Sequence, residues 1–372
     1  MTFEIDGFIA KGFEPVYEQF KKHFEEGKEN GASFCAQIEG ENVINLWGGF
    51  TDRNQTKKWQ NDSLVQFFST TKPMAAIVIA MLQDRGFLHF DDAIGDLWPE
   101  FTVHDKEVSI VQALSHQAGV CGFINEFDPL NWLDLHKTAE LIADLEPLWP
   151  PLSESGYHPM NYGYIANELC YRVLGQDLAD VFHADITKPL SIDFQIGLPV
   201  ELQNRHVEFT PPKEPPNMGQ MNPMKRAAFM TKWASPPRIG AAALAAKIPS
   251  TNGFGTCEAM ASLYGIFAND GFIKGQEIIS KSTLEDLTKS RIFGDDLVLN
   301  FKVDWAAGVM RNTTQTFGPS LETMGHAGRG GSCGFGDKTK RLSVAYAPNK
   351  HSNAIVGDER AKALTDVLYD CL

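Results

Sequence analysis

The sequence predicts an α/β fold in which a helical lobe is inserted into a lobe built from both ends of the chain. Three observations carry that prediction. Near the N-terminus, residues 33–38 and 43–47 are apolar-rich runs on either side of the turn Glu39-Gly40-Glu41-Asn42, the pattern of a β-hairpin. From residue 63 to about 200 the apolar positions fall at helical spacing. Residues 305–310, 331–335 and 342–347 read as strands again. With 372 residues, 43% of them hydrophobic, the chain can bury one large core or two intimately packed halves. It reads as one unit over 1–372, with the α/β lobe at about 1–62 and 250–372, the helical lobe at about 63–249, and a cleft between them.

Taken in order, Phe13, Val16, Tyr17, Phe20 and Phe24 form one stripe of an amphipathic helix over 13–26, which needs a sheet to cover it. Gly48 and Gly49 end the second hairpin strand and lead into a polar loop over 52–62. Residues 65–68 read as an extended approach to a helix over 73–82 that is apolar on most sides and therefore buried. Further helices are expected over 138–145, 164–174 and 258–269. The stretch 210–217 is broken by four prolines and is followed by Met218, Met221, Met224 and Met230. It reads either as a surface wrap or as a flexible wall over a pocket, where thioethers adapt to varied shapes.

Composition narrows the function classes. Acidic residues outnumber basic ones by 47 to 33, a formal charge of −14, so phosphate backbones and anionic membrane surfaces are repelled at long range. Nucleic acid and membrane are not expected partners. The first residues lack the basic and apolar regions of a secretory signal, and no segment offers roughly 18 uninterrupted apolar residues. Cys35, Cys121, Cys170, Cys257, Cys333 and Cys371 are dispersed without metal-type pairing, as reduced thiols of a cytoplasmic protein would be. His116 and Cys121 have no acidic or histidine partner at ligand spacing, so neither a metal nor an organic cofactor is expected.

The densest chemical signal is Ser69-Thr70-Thr71-Lys72. One helical turn brings a hydroxyl at i and an amine at i+3 to the same face, where the amine can take the hydroxyl proton and make Ser69 a nucleophile. A serine and a lysine at this spacing recur by chance in a chain of this length, so the surroundings decide the weight of the motif.

Those surroundings resemble the serine β-lactamase-like superfamily, in particular the esterases related to class C β-lactamases. The resemblance runs through Asn45-Leu46-Trp47-Gly48-Gly49, Phe68-Ser69-Thr70-Thr71-Lys72, Leu88-His89-Phe90-Asp91-Asp92-Ala93 and Leu97-Trp98-Pro99-Glu100-Phe101. Ala113-Leu114-Ser115-His116-Gln117-Ala118-Gly119 is similar to the family's Leu-Leu-Thr-His-x-x-Gly segment. Gly156-Tyr157-His158-Pro159-Met160-Asn161 is similar to the tyrosine motif, and Gly325-His326-Ala327-Gly328 to the third motif, Lys-Thr-Gly in lactamases and often His-x-Gly in the esterases. It covers about residues 10–370 and is weakest over about 200–250. The fold it implies is β-lactamase/transpeptidase-like, an antiparallel sheet flanked by helices with an inserted helical lobe.

The resemblance also implies roles. Tyr157 would accept the Ser69 proton as a phenolate favoured by the Lys72 ammonium, and His326 would hydrogen-bond Tyr157 and tune it. The backbone amides of Ser69 and Arg329 would form the oxyanion hole, with the Arg329 side chain at the cleft rim, either attracting an acidic substrate or solvated. Pro159 stands where lactamases carry the asparagine of Tyr-x-Asn, which removes an amide that would hold Lys72, unless Asn161 reaches in its place. Gly330-Gly331-Ser332-Cys333-Gly334 matches Gly-x-Ser-x-Gly, yet a polar turn and a strand-like run follow it where the nucleophile elbow needs a helix, so Ser332 reads as structural. The expected function is a serine hydrolase acting on a small-molecule ester or amide substrate, cleaving short-chain carboxylic esters through a Ser69 acyl-enzyme. Two other readings are open: a β-lactamase or D-amino-acid peptidase, and a non-catalytic, assembly-forming relative. The sequence does not reach the oligomeric state.

Overall fold

The computed structural model describes residues 3–101, 107–237 and 240–372. A nine-stranded antiparallel sheet joins the two ends of the chain. Its strands are β1 (Ile5–Ile9), β2 (Gly31–Ile38), β3 (Glu41–Gly49), β4 (Ile292–Asp295), β5 (Lys302–Trp305), β6 (Met310–Arg311), β7 (Thr323–Ala327), β8 (Cys333–Asp337) and β9 (Leu342–Pro348). They lie in the order β1-β3-β2-β9-β8-β7-β6-β5-β4. The seam between N-terminal and C-terminal parts is the β2–β9 pair, where Phe34 faces Tyr346 and Ala36 faces Val344.

The two faces of that pair differ because successive side chains point to opposite sides. Phe34, Val344 and Tyr346 meet the helices α1 (Glu14–Glu25) and α6 (Glu359–Asp370) in one core, with Val16, Phe20, Leu364 and Leu368. On the other face the small residues Cys35, Ala345 and Ala347 meet α5 (Cys257–Ala268), a helix buried nearly all round. Close approach is the reason for small residues there. A methyl group on Gly336 would lie 2.5 Å from the Tyr264 carbonyl oxygen, and one on Gly334 would lie 2.3 Å from the Tyr264 ring.

Between the terminal parts lie α2 (Lys72–Asp84), α3 (Leu135–Ala143) and α4 (Asn161–Leu174), with α4 packed on both α2 and α3. Lys72 to Leu82 are all buried, so α2 is the spine of this region. It also holds a three-stranded sheet formed by Val65–Gln66, Phe194–Ile196 and Gly253–Gly255, which helical periodicity alone did not indicate.

Two expected elements shift. The strand read over 305–310 is the turn between β5 and β6, with Gly308 at φ +72° against the Tyr162 hydroxyl. The extended approach ends at Gln66, because Phe68 takes a left-handed φ of +50°. Among the described residues no helix is long and apolar enough to cross a membrane, and all six cysteines are free.

The α5–β8 contact yields a stability prediction. Gly336→Ala must displace helix backbone, so it is expected to lower unfolding free energy by ~1–3 kcal/mol, the usual scale of overpacking, measured by urea denaturation. An unchanged urea midpoint would show that α5 can retreat freely.

Candidate active site

The short 3-10 turn Phe68–Thr71 carries Ser69 and runs straight into α2, which begins at Lys72. Phe68 in a left-handed conformation is a local strain of ~1–3 kcal/mol that the surroundings must hold. Its ring is wedged edge-on against Phe209 and His351, with centroids 5.7 and 5.3 Å away. The turn is tied from behind: the Tyr264 hydroxyl donates to Thr70 O at 2.9 Å, and the Ser332 hydroxyl donates to Phe67 O at 2.8 Å. Ser332 is therefore a strut of the turn that carries Ser69. A methyl group on Gly328 would lie 2.4 Å from Phe67 O and 2.2 Å from Ser332 Oγ, so only glycine lets the β7–β8 turn, with Arg329 in it, come this close.

Lys72 is wholly buried. Its Nζ lies 3.0 Å from Ser69 Oγ and donates to the carbonyl oxygens of Pro159 at 2.8 Å and Ser250 at 2.9 Å. No carboxylate is among these contacts. Burial alone pushes the amine well below the ordinary lysine range. The carbonyl of Pro159, with that of Ser250, thus does the holding that the missing asparagine amide would have done. Asn161 does not reach: its Nδ2 donates to Val120 O at 2.8 Å.

Tyr157 lies over the Lys72 amine, 5.0 Å from Nζ to the ring centroid. Burial raises its phenol above the ordinary range, its hydrogen bond with Ser69 lowers it, and nearby Asp296 raises it further. Burial thus acts against the phenolate expected from the sequence, and it acts equally against the Lys72 ammonium that would favour it. His326 is 2% exposed on β7, and its Nδ1–H donates to Ala327 O at 2.7 Å. That leaves Nε2 as a lone pair with no hydrogen-bond partner. Burial, with Lys72 nearby, pushes its pKa down to about 3, so the ring is neutral. Its ring sits 5.9 Å from that of Tyr157 without the expected hydrogen bond.

Ser69, Tyr157, His326 and Arg329 all line one cavity of about 550 Å³, the size of a small-molecule site. Lys72 reaches the cavity through its contact with Ser69 Oγ. Of the two readings of the proline-broken excursion, the structure places it as a wall: Pro212, Pro216, Met218, Phe229 and Met230 face the cavity. Buried Lys225 pins that wall by donating to Met218 O at 2.8 Å and Gln220 O at 2.9 Å. Arg329 is exposed at the rim. Among the described residues no three His, Cys, Asp or Glu side chains are placed to hold a metal ion.

Sequence reasoning missed three parts of this site. The Pro159 and Ser250 carbonyls are backbone groups with no residue signature. Asp296 sits in a loop without chemical spacing, although its carboxylate accepts from the Tyr157 main-chain N–H at 3.0 Å.

The profile of the family described as β-lactamase matches residues 18–368. The chain belongs to the β-lactamase family. The esterase/β-lactamase LipL of Mycobacterium tuberculosis (strain ATCC 25618 / H37Rv) is 29% identical over 368 residues, 94% of this chain and 84% of that protein. A penicillin-binding protein homologue from Caulobacter crescentus superposes with a TM-score of 0.97 at 42% identity, covering 99% of this chain and all of that one. A family VIII carboxylesterase superposes with a TM-score of 0.92 at 36% identity, over 99% and 100% of the two chains. This β-lactamase-family protein is a serine hydrolase with the β-lactamase/transpeptidase-like fold.

The two serine motifs separate experimentally. Ser69→Ala is expected to abolish labelling by a fluorophosphonate, whereas Ser332→Ala keeps the label and loses roughly 1 kcal/mol of stability with its hydrogen bond. A label mapped to Ser332 by mass spectrometry would reverse the assignment.

Proposed function

We propose that this serine hydrolase is a carboxylesterase acting through a Ser69 acyl-enzyme. The observation that carries this reading is the desolvated Lys72 amine 3.0 Å from Ser69 Oγ. A neutral amine has two N–H donors and one lone pair. The donors go to the Pro159 and Ser250 carbonyls, which leaves the lone pair for the Ser69 hydroxyl proton. Lys72 is thus the base of acylation. Tyr157 keeps its proton at rest and passes it from the Ser69 side to the leaving alkoxide, recovering it from Lys72. The main-chain amides of Ser69 and Arg329 stabilise the tetrahedral oxyanion. Water then attacks the acyl-enzyme by the reverse proton path and releases the acid.

The preference for esters over β-lactams rests on charge. A neutral His326 with a bare lone pair repels a carboxylate where a lysine would grip it, and Pro159 offers no side-chain amide. The short-acyl preference expected from the sequence draws no support from the cavity, which at about 550 Å³ accommodates larger apolar groups as well. The proposed substrates are therefore uncharged esters, short-chain acyl groups among them.

Three measurements test this. Lys72→Ala and Tyr157→Phe are each expected to lower turnover of a p-nitrophenyl ester by ~100-fold or more, with the double mutant far from additive. Near-normal turnover in Tyr157→Phe would refute its role. Catalytic efficiency on short p-nitrophenyl esters is expected to exceed that on nitrocefin by at least ~100-fold, about 2.7 kcal/mol; equal efficiencies would favour the β-lactamase reading. The pH profile has a defined sign: Lys72 must be neutral, so turnover falls on acidification as the amine gains a proton. Tyr157, raised by burial, imposes no fall through neutral and mildly alkaline pH. A rate that stayed level on acidification would leave Lys72 without its role as base.

A further inference from the structure

Asp296 is a buried carboxylate, 6% exposed, in the loop between β4 and β5. Among the described residues its two oxygens accept five hydrogen bonds and form no ion pair. Oδ1 takes the main-chain N–H groups of Tyr157 at 3.0 Å, Val298 at 2.9 Å and Leu299 at 2.9 Å. Oδ2 takes the Ser155 hydroxyl at 3.2 Å and the Trp305 indole N–H at 3.1 Å. The indole so held lies parallel to the Tyr157 ring, 5.6 Å between centroids with planes 1° apart. The neighbouring N–H groups are taken by a second element: Gly156 N donates to His116 O at 3.0 Å, and His158 N donates to His116 Nδ1 at 3.2 Å.

We propose that Asp296 is the positioning residue of Tyr157, fixing the main chain of the tyrosine directly and the plane of its ring through the Trp305 indole. Tyr157 itself leaves α4 unaided: it lies four residues before the first helical position, in a stretch without regular structure. Without the carboxylate, its N–H and the indole N–H would be two buried donors lacking an acceptor, and the segment would relax to satisfy them. A shift of the phenol by an ångström is what the Ser69–Lys72 relay cannot absorb. The inference rests on the proposed role of Tyr157 in proton transfer.

A double-mutant cycle on the full chain tests it. Asp296→Asn keeps the shape and one acceptor but sets an amide N–H against the indole N–H. Turnover of a p-nitrophenyl ester is expected to fall by ~10-fold or more with KM little changed, on the scale by which misplaced reacting groups lose rate. In a Tyr157→Phe background the same substitution is expected to cost less than ~2-fold, because the group it positions is gone. Adding Trp305→Phe to Asp296→Asn removes the opposed donor while keeping a ring to stack, and is expected to restore part of the lost turnover. Equal losses in both backgrounds, or no loss in the native background, would overturn the inference. Should Asp296→Asn fail to fold, Trp305→Phe alone in the two backgrounds makes the same comparison. Normal turnover in Tyr157→Phe itself would refute the proton-transfer reading instead, and so distinguishes the two failures.

Discussion

Lys72 lies in the interior with two carbonyl oxygens and a hydroxyl in reach and, among the described residues, no counter-ion. Taking an ammonium out of water without a partner is among the costliest arrangements in a protein, so burial drives the amine toward its neutral form. Much of the surrounding architecture serves that condition. The spine helix α2 is buried from its first residue, and the Pro159 and Ser250 segments close over the amine. They are held to each other by the Ser250 hydroxyl, which donates to Met160 O at 2.9 Å.

The same economy shapes the rest of the site. The nucleophile turn is strained at Phe68 and is held by side chains from three distant places: Tyr264 on α5, Ser332 after β7, and the Phe209–His351 pair. Each contact crosses from one part of the chain to another. The sheet seam at β2–β9 is what keeps those parts in register, so stability of the sheet and geometry of the nucleophile are one problem.

The legible portion of this arrangement was the local one. Ser69 and Lys72 are a helical turn apart, and the hairpin and α1 announce themselves by alternation and by an apolar stripe. Strand β7 is not legible and β8 is read two residues early, because Gly325, Gly334 and Gly336 lower strand propensity; those glycines are there so that α5 and the Phe317 ring can come close. The edge strands β1 and β4 are short and half exposed, which blurs their periodicity. Roles that depend on long-range contacts are the ones the sequence does not show. Burial works against the phenolate expected of Tyr157, and no residue around it in the sequence signals that burial. Asp296 gives no signal because its two partners in the tyrosine segment, Ser155 and Tyr157, lie 141 and 139 positions away.

A hydrolase must also let go of what it makes. In the proposed reaction the acid released from Ser69 ionises as it reaches water, and burial works against charge on both Lys72 and His326. The two arginines that border the cavity, Arg53 and Arg329, are exposed and screened at its mouth. With a formal net charge of −14 on the whole chain, such an anion meets a long-range field that drives it outward. On the proposed reading, a chamber that admits a neutral ester is thereby one that discharges a charged acid.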